Sequence, residues 1–458
     1  MNITSFSIKK LHGYLNISVR IKNNKVVIVG VNGIGKTTVA NIIYYFLTQQ
    51  WKKIVKYDFE QITITTKDKK LDILKNDIDE YIMMSRNRLR MRNNFPTSLI
   101  KRLESHYLYN KILTTRTITS QDIKTLSEET GLRPNHVEGI LMDCIDSPGV
   151  LFPTSESKVG TIEEYLKANI HGQVLYLPTY RRIEQDLKEL FPELENEIKK
   201  LNQLKSQAVT STGFVELVQF GMEDVVHKIN SALNTIKDSS RTELNNLAGS
   251  YLRDVIRNQA QTFDKKLIIS LQDKTLNNIL SRVEEKTLSD EDKASMLEFI
   301  NRMKSKTTVI TDQDKYLAHF LSKLIEIHNK QKELEKPIVD MLTVCNKYLS
   351  SKALIFDEIN YRIHVKPDGS DPIAFSMLSS GEKQIVSLFS HLYLGDSEHY
   401  YVVIDEPELS LSVEWQNMLL PDIWDSGRCN FLLAVTHSPF IYENSFDAFA
   451  TEMKITRG

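Results

Sequence analysis

Cysteine is scarce in this sequence of 458 residues, which contains Cys144, Cys345 and Cys429 and no others. The three lie far apart along the chain, whereas zinc sites and disulfide frameworks use cysteines at short, repeated spacings. The sequence therefore predicts neither a metal-binding nor a disulfide pattern. Unpaired cysteines are typical of a reducing compartment, so we expect a cytoplasmic protein.

The sequence also lacks long apolar runs and an excess of charge of one sign. No apolar run approaches the roughly 20 residues that a membrane-spanning helix needs, and the first residues lack the basic-then-apolar pattern of a signal peptide. With 58 Lys and Arg residues against 59 Asp and Glu residues, the net charge is −1. A general electrostatic attraction to nucleic acid is therefore not expected.

A glycine-rich loop lies near the start of the sequence. Residues 30–37 read GVNGIGKT and follow the apolar, β-branched run 26–29, which predicts a buried parallel strand. Glycines at three positions of the loop allow the backbone to wrap closely around a polyphosphate with its N–H groups directed inward. The pattern is that of the Walker A motif of nucleotide-binding proteins.

The residues at the end of this loop supply a positive charge and a metal ligand. Lys36 can reach β- and γ-phosphate oxygens, and the hydroxyl of Thr37 is placed to bind Mg²⁺. The apolar pattern of residues 38–47 predicts a helix whose N-terminal dipole attracts the anion. The strand before the loop and the helix after it make a chance match to the motif a poor explanation.

Two further predicted strands end in side chains suited to hydrolysis. The apolar run 400–404 leads to Asp405, which can hold Mg²⁺ through water, and to Glu406, which can orient or deprotonate an attacking water molecule. The run 430–435 leads to His437. Because strand C-terminal ends line the ligand crevice of an open α/β sheet, we expect His437 to reach the γ-phosphate.

The segment 378–382, which reads LSSGE, completes a set of motifs that resembles the ABC-type ATPases, and the RecF, SMC and OLD-like group in particular. In that group the Walker A loop of one head domain faces the signature segment of another. The resemblance implies that Ser379 and the Gly381 amide contact the γ-phosphate bound by Lys36 of a neighbouring subunit. At least a dimer is therefore implied.

These motifs assign three sets of site residues. The predicted catalytic residues are Lys36, Glu406 and His437, and the predicted Mg²⁺ ligands are Thr37 and Asp405. The predicted nucleotide-binding residues come from both ends of the chain: Gly30, Asn32, Gly33, Gly35, Lys36, Thr37, Thr38, Leu378, Ser379, Ser380, Gly381 and Glu382. The implied cofactors are ATP and Mg²⁺.

The order of the predicted elements indicates an α/β fold, a P-loop ABC-type ATPase head with a mixed sheet that is interrupted by a largely helical insertion arm. A chain of this length exceeds one typical domain, so two lobes are expected. The predicted segments are 1–69, the N-terminal part of the head; 70–172, a helical and basic insertion; 173–183, a head strand; 184–350, a helical arm; and 351–458, the C-terminal part of the head.

The predicted helical arm has no sustained heptad pattern, which argues against a long coiled coil and favours short antiparallel hairpins. It either shapes the head as a scaffold or serves as a platform for oligomerisation or partner docking. Arg181 and Arg182 follow a predicted core strand, and they could meet the nucleotide, a dimer partner, an effector or this arm.

One stretch of the predicted insertion is locally basic. Glu104 is the only acid between residues 81 and 116, and the basic residues there that we consider for a partner or nucleic-acid surface are Arg86, Arg88, Arg90, Arg92, Lys101 and Arg102. The imbalance favours contact with nucleic-acid phosphates or with an acidic protein. A solvated helix face, or a loop paired with acids elsewhere, would give the same pattern.

No second set of catalytic residues accompanies these motifs. HNH, PD-(D/E)xK and metallohydrolase spacings are absent, and only 21 residues follow His437, too few for an appended Toprim nuclease. We therefore expect a partner to supply the output. Residues 177–182 and 405–411 resemble the stand-alone ATPase subunits of bacterial anti-phage systems, those of PARIS (AriA) first and those of Septu (PtuA) next.

The PARIS resemblance implies a homo-oligomeric ATPase scaffold that holds a Toprim-type nuclease in check until a phage-encoded protein triggers its release. The Septu resemblance implies an HNH nuclease partner instead. The alternative is a DNA repair or recombination ATPase of the RecF type that binds DNA through the basic stretch. Stimulation of ATP hydrolysis by DNA, with a steep salt dependence, would separate the alternatives.

Overall fold

The computed structural model describes residues 1–31, 33–83, 108, 120–130, 134, 137, 157–178, 214–216, 222–257, 259, 268–269, 272–283, 288–304 and 311–457. The strands are β1 (Ile3–Leu11), β2 (Leu15–Arg20), β3 (Lys25–Val29), β4 (Gln61–Thr66), β5 (Lys70–Leu74), β6 (Gln173–Leu177), β7 (Phe214–Glu216), β8 (Lys352–Asp357), β9 (Arg362–Pro367), β10 (Tyr400–Asp405), β11 (Cys429–Val435), β12 (Ala450–Glu452) and β13 (Lys454–Arg457). The α-helices are α1 (Lys36–Leu47), α2 (Trp51–Ile54), α3 (Ser120–Thr130), α4 (Lys158–Asn169), α5 (Glu223–Ile256), α6 (Asp273–Ser281), α7 (Asp290–Lys304), α8 (Asp312–Asn346), α9 (Ser380–Leu394) and α10 (Val413–Asp425).

The chain forms two compact units. The first unit comprises Met1–Val218, His399–Glu408 and Ser412–Gly458, and the second comprises Gln219–Glu398 and Leu409–Leu411. The predicted division of the chain into head, insertion and arm stays a prediction. Its last boundary, at residue 351, falls inside the second unit, because β8 and α9 pack against α8.

A six-stranded parallel sheet organises the first unit, in the order β12-β3-β11-β10-β6-β7. Every residue of β10 is buried, and β11 is buried at all but one position. Strands covered on both faces are apolar along their whole length, which is why the sequence alone could indicate them. Because the strands are parallel, the segments that follow β3, β10 and β11 emerge at one edge of the sheet.

A separate five-stranded antiparallel sheet completes the first unit, in the order β13-β2-β1-β4-β5. The predicted helical character of the segment beginning at residue 70 is wrong for Lys70–Leu74. These residues form β5 and pair with β4, since Leu71 and Ile73 are buried on one face of the strand while Lys70 and Leu74 are exposed on the other. Residues of both sheets and of α1 share one apolar core, in which Phe6, Ile43 and Val403 are fully buried or nearly so.

Long helices dominate the second unit. Helix α5 has 34 residues and α8 has 35, so the expectation of short hairpins is wrong for these elements. The two helices pack against each other, and Pro337 inside α8 does not end it. A second apolar core, which includes Phe299, Ile300 and Leu321, lies among the helices of this unit.

The predicted fold class is confirmed, because the first unit is α/β and the second is largely helical. The parallel and antiparallel strands of the first unit lie in two separate sheets, which corrects the prediction of one mixed sheet. Within the part of the chain that the structure describes, no helix combines the length and the apolar character needed to cross a membrane.

Candidate active site

The glycine-rich loop begins where β3 ends, and its geometry requires glycine. Gly30 has φ 146°, and a Cβ atom there would lie 2.7 Å from Cδ1 of Ile34. Gly35 has φ 89° and is the N-cap residue of α1, which no side chain of the described residues caps and which has no acid in its first turn. The first N–H groups of α1 therefore face the loop without a side-chain acceptor, which fits a phosphate-binding helix terminus.

Lys36, at the end of this loop, is buried, with 4% of its surface exposed. Its Nζ donates to the carbonyl oxygens of Gly30 at 2.8 Å and Val31 at 2.9 Å, and lies 3.5 Å from Nδ1 of His437. Burial lowers the pKa of Lys36, and the neighbouring carboxylates oppose that shift. The structure thus brings two predicted catalytic residues together from opposite ends of the chain.

Thr37 and Asp405, the two predicted Mg²⁺ ligands, also meet. The Thr37 hydroxyl donates to Oδ1 of Asp405 at 3.1 Å, and the aspartate, at the end of β10, is 3% exposed. Mg²⁺ usually binds one or two protein oxygens and completes its shell with water and substrate phosphates. This pair fits that role, and the described residues contain no cluster of three or more His, Cys, Asp or Glu that could hold a metal alone.

Glu406 occupies a turn with φ 50°, an uncommon backbone conformation for a residue other than glycine. Its N–H donates to the carbonyl oxygen of Val435 at 2.8 Å, which ties the ends of β10 and β11 together. Burial raises the pKa of the Glu406 carboxyl, and the charges of Asp405 and Glu408 raise it further. A more basic carboxylate suits the predicted role of orienting or deprotonating water.

His437 is the first exposed residue after β11, and its backbone position is set by a residue that the motif analysis missed. The Glu408 carboxylate accepts from the Thr436 hydroxyl and from the His437 N–H, each at 2.8 Å. In the sequence Glu408 appears only as part of the 405–411 resemblance. The sequence did carry one signal for it, namely three acids within four residues at the end of a buried strand.

The signature segment lies in the second unit, at the start of α9. Ser379 caps the helix by accepting from the Glu382 N–H at 3.3 Å, and the Glu382 carboxylate accepts from the Ser379 N–H at 2.7 Å. Lys352 donates to both carboxylate oxygens of Glu382 at 2.8 Å. Glu382 is therefore engaged within the unit, while Ser379 and Ser380 are exposed. The predicted nucleotide contacts of this segment stay predictions.

Several predicted residues lie outside the described part of the chain. They are Asn32, Arg86, Arg88, Arg90, Arg92, Lys101, Arg102, Arg181 and Arg182. The remaining members of the first motif, Gly33 and Thr38, lie in the loop and in the first turn of α1.

Comparison with known proteins gives a match over nearly the whole chain. The family model described as AAA ATPase domain matches residues 1–442. No curated protein matches the sequence. Among solved structures, the Pyrococcus furiosus Smc head domain with an extended coiled coil, bound to the C-terminal domain of ScpA, has a TM-score of 0.33 and 12% identity, over 100% of this chain and 96% of that one. A likeness at this TM-score supports no conclusion about function.

Proposed function

Because the chain belongs to the AAA ATPase domain family, we propose that it hydrolyses ATP with Mg²⁺ at the site where the Walker A loop meets the ends of β10 and β11. The observation that carries this proposal is the hydrogen bond of 3.1 Å from Thr37 to Asp405. It joins the first residues of α1 to the acidic end of β10. An oxygen pair of this kind, beside a buried lysine, is what a Mg²⁺–triphosphate complex requires.

Each residue has a definite task in this proposal. Lys36 and the loop amides hold the phosphates, and Thr37 with Asp405 would hold Mg²⁺, which offsets negative charge on the phosphate oxygens when it is bound. Glu406 orients the attacking water and takes up its proton. His437, next to Lys36, contacts the γ-phosphate.

We further propose that two copies act together, in the ABC manner. The exposed Ser379 at the start of α9, with the Gly381 amide, would close the site of a neighbouring copy. The free energy of closure would then favour one arrangement of the subunits over another, which is how a nucleotide can control a bound partner.

The wider role that we propose is an oligomeric ATPase sensor or scaffold of a bacterial anti-phage complex that controls a separate nuclease. Support comes from the resemblance of residues 177–182 and 405–411 to the PARIS and Septu ATPases. The alternative, a RecF-type ATPase that binds DNA, depends on the basic stretch between residues 81 and 116, much of which lies outside the described residues.

Glu406→Gln tests the hydrolytic role. The variant should bind ATP, lose turnover and accumulate ATP-bound oligomers, as measured by phosphate release and size-exclusion chromatography with light scattering. Glu414→Gln is the matched control, because Glu414 is an exposed acid in the first turn of α10. Wild-type turnover in Glu406→Gln would contradict the assignment.

Purification from the native host separates the two wider roles. Co-purification of a nuclease subunit, with ATP hydrolysis that DNA does not stimulate, would support the defence role. DNA-stimulated hydrolysis that weakens steeply with salt would support the DNA-repair role instead.

A further inference from the structure

Glu408 holds two donors that belong to the loop after β11. Its Oε2 accepts from the Thr436 hydroxyl and its Oε1 accepts from the His437 N–H, both at 2.8 Å. Each carboxylate oxygen thus serves a different donor. An amide side chain has only one acceptor oxygen, so a carboxylate is the group that this pair of donors requires.

On the side of Thr436, the loop that Glu408 holds is also tied to the neighbouring strand β3. That residue is fully buried, and its N–H donates to the carbonyl oxygen of Ile28 in β3 at 3.1 Å. His437 comes next and is exposed, with its ring nitrogen Nδ1 3.5 Å from Lys36. The bond from the His437 N–H to Glu408 helps to set the direction in which the chain leaves β11.

Helix α10 strengthens this connection from a second side. Gln416 donates from Nε2 to the backbone carbonyl of Glu408 at 3.5 Å and accepts from the Ser438 hydroxyl at 2.6 Å. Ser438 in turn donates its N–H to the Thr436 hydroxyl oxygen at 3.0 Å. The turn that carries Glu406 and Glu408 and the turn that carries His437 are thus joined by side chains as well as by the Glu406–Val435 backbone bond.

We propose that Glu408 is a positioning residue for ATP hydrolysis, which holds His437 beside Lys36 and links the His437 turn to the turn that carries Glu406. The proposal rests on the proposed function, since it assigns Glu408 a part in the same reaction. Glu408 itself touches neither Lys36 nor Thr37 through any hydrogen bond among the described residues. Its proposed task is to hold His437 in position, and this task is separate from the effect of its charge on the pKa of Glu406.

A double-mutant cycle tests this role. Glu408→Ala removes both acceptors, and it should lower kcat by about 100-fold, as expected for a misplaced catalytic group. The Kd for mant-ATP should stay within about threefold, because the hydrogen bonds of Lys36 and the backbone of the glycine-rich loop are kept. In a His437→Ala background the same change should lower kcat by less than about threefold, since the group that Glu408 positions is gone.

Two more variants complete the design. Glu408→Gln keeps one acceptor oxygen and should lose about 10-fold in kcat, which places it between the wild type and Glu408→Ala. Glu414→Gln, the same chemical change at an exposed position, should behave as the wild type. An equal loss from Glu408→Ala in both backgrounds, or full activity of that variant, would overturn the proposal.

Hydrogen exchange supplies a measurement that does not depend on turnover. Amides of residues 435–438 should exchange faster in Glu408→Ala than in the wild type. Unchanged exchange rates would contradict the proposal that Glu408 holds the His437 turn, even if activity fell. If wild type and Glu406→Gln both fail to hydrolyse ATP, the proposed function fails. The exchange rates would still decide whether Glu408 holds this turn.

Discussion

The Thr37 hydroxyl donates a hydrogen bond of 3.1 Å to Asp405, across 368 positions of the sequence. The two residues meet because β3 and β10 run parallel on either side of β11, so that their C-terminal ends lie at the same edge of the sheet. Helix α1 starts just beyond that edge and places Thr37 in its first turn. The contact therefore depends on the sheet topology as much as on the two side chains.

Thr37→Val should raise the Mg²⁺ concentration that ATP hydrolysis requires. Valine keeps the shape of threonine but removes the hydroxyl that is placed to bind the metal, and loss of such a group lowers metal affinity or activity by about 10- to 100-fold. The measurement is ATP turnover as a function of Mg²⁺ concentration, with Thr37→Ser as the control that keeps the hydroxyl. An unchanged Mg²⁺ half-saturation in Thr37→Val would contradict the ligand assignment.

Gly30→Ala should destabilise the protein and impair nucleotide binding. At φ 146° any side chain is strained, and the added Cβ would lie 2.7 Å from Ile34. Strain of this kind costs about 1–3 kcal/mol. Urea unfolding followed by tryptophan fluorescence measures the loss, because Trp51, Trp415 and Trp424 all belong to the first unit.

Gly249→Ala is the matched control for that experiment, and its predicted effect has the opposite sign. Gly249 lies within α5, and no heavy atom of the described residues would come within 4 Å of a new Cβ atom. Alanine in a helix interior is about 0.5–1 kcal/mol more favourable than glycine. Circular dichroism should show a gain in stability, and a loss there would contradict the open surroundings of this glycine.

Strands that are covered on both faces could be predicted from the sequence, and the short edge strand β5 could not. The runs 400–404 and 431–435 are apolar throughout because β10 and β11 lie in the middle of the parallel sheet. The short strand Lys70–Leu74 lies at the edge of the other sheet and buries only two side chains. Its polar half resembles the polar helical sequence that follows, which explains the wrong prediction.

The site residues also divide into those that a sequence motif could indicate and one that no motif could. Lys36, Thr37 and Asp405 belong to patterns whose spacing is fixed by the chemistry of phosphate and Mg²⁺, so the sequence could indicate them. Glu408 accepts hydrogen bonds from a hydroxyl and a backbone N–H in the loop after β11. The nearer of the two donors, Thr436, lies 28 positions away in the sequence. No spacing rule encodes such a contact, because it depends on β10 and β11 being neighbours in the sheet.

Glu382→Gln should destabilise the protein at neutral pH but not in acid. Burial raises the pKa of Glu382, yet the hydrogen bonds from Lys352 and Ser379 together outweigh it, so the pKa is lowered. A carboxyl group with a lowered pKa stabilises the fold above its ordinary value of 4.5, and this contribution is lost as the pH falls through the folded value.

Glu382→Gln should lower the free energy of unfolding by about 2 kcal/mol at pH 7, which is the contribution of a hydrogen bond to a charged group. Urea unfolding followed by circular dichroism should show a constant difference between the wild type and Glu382→Gln from pH 7 to 6, and a shrinking one below pH 4.5. Glu414→Gln should show no comparable difference at any pH. A gap that persists unchanged in acid would argue against the charged pair with Lys352.

Glu335→Gln should lower the free energy of unfolding more than Lys332→Met does, although both residues belong to one charged cluster in the second unit. Arg282 and Glu335 lie 2.8 Å apart with side chains 4% and 0% exposed, whereas Lys332, 3.4 Å from Glu335, is 41% exposed. Losing one partner of a buried pair costs about 3–5 kcal/mol, because the other charge stays buried, while an exposed ion pair contributes at most about 1 kcal/mol. Circular dichroism reports the helical unit, and tryptophan fluorescence reports the first unit in the same titration. Equal losses of stability in the two variants would contradict this argument from burial.

A double Arg282→Met, Glu335→Leu variant should recover much of the stability that Glu335→Gln loses. Apolar replacement of both partners leaves neither charge of this pair buried without its partner.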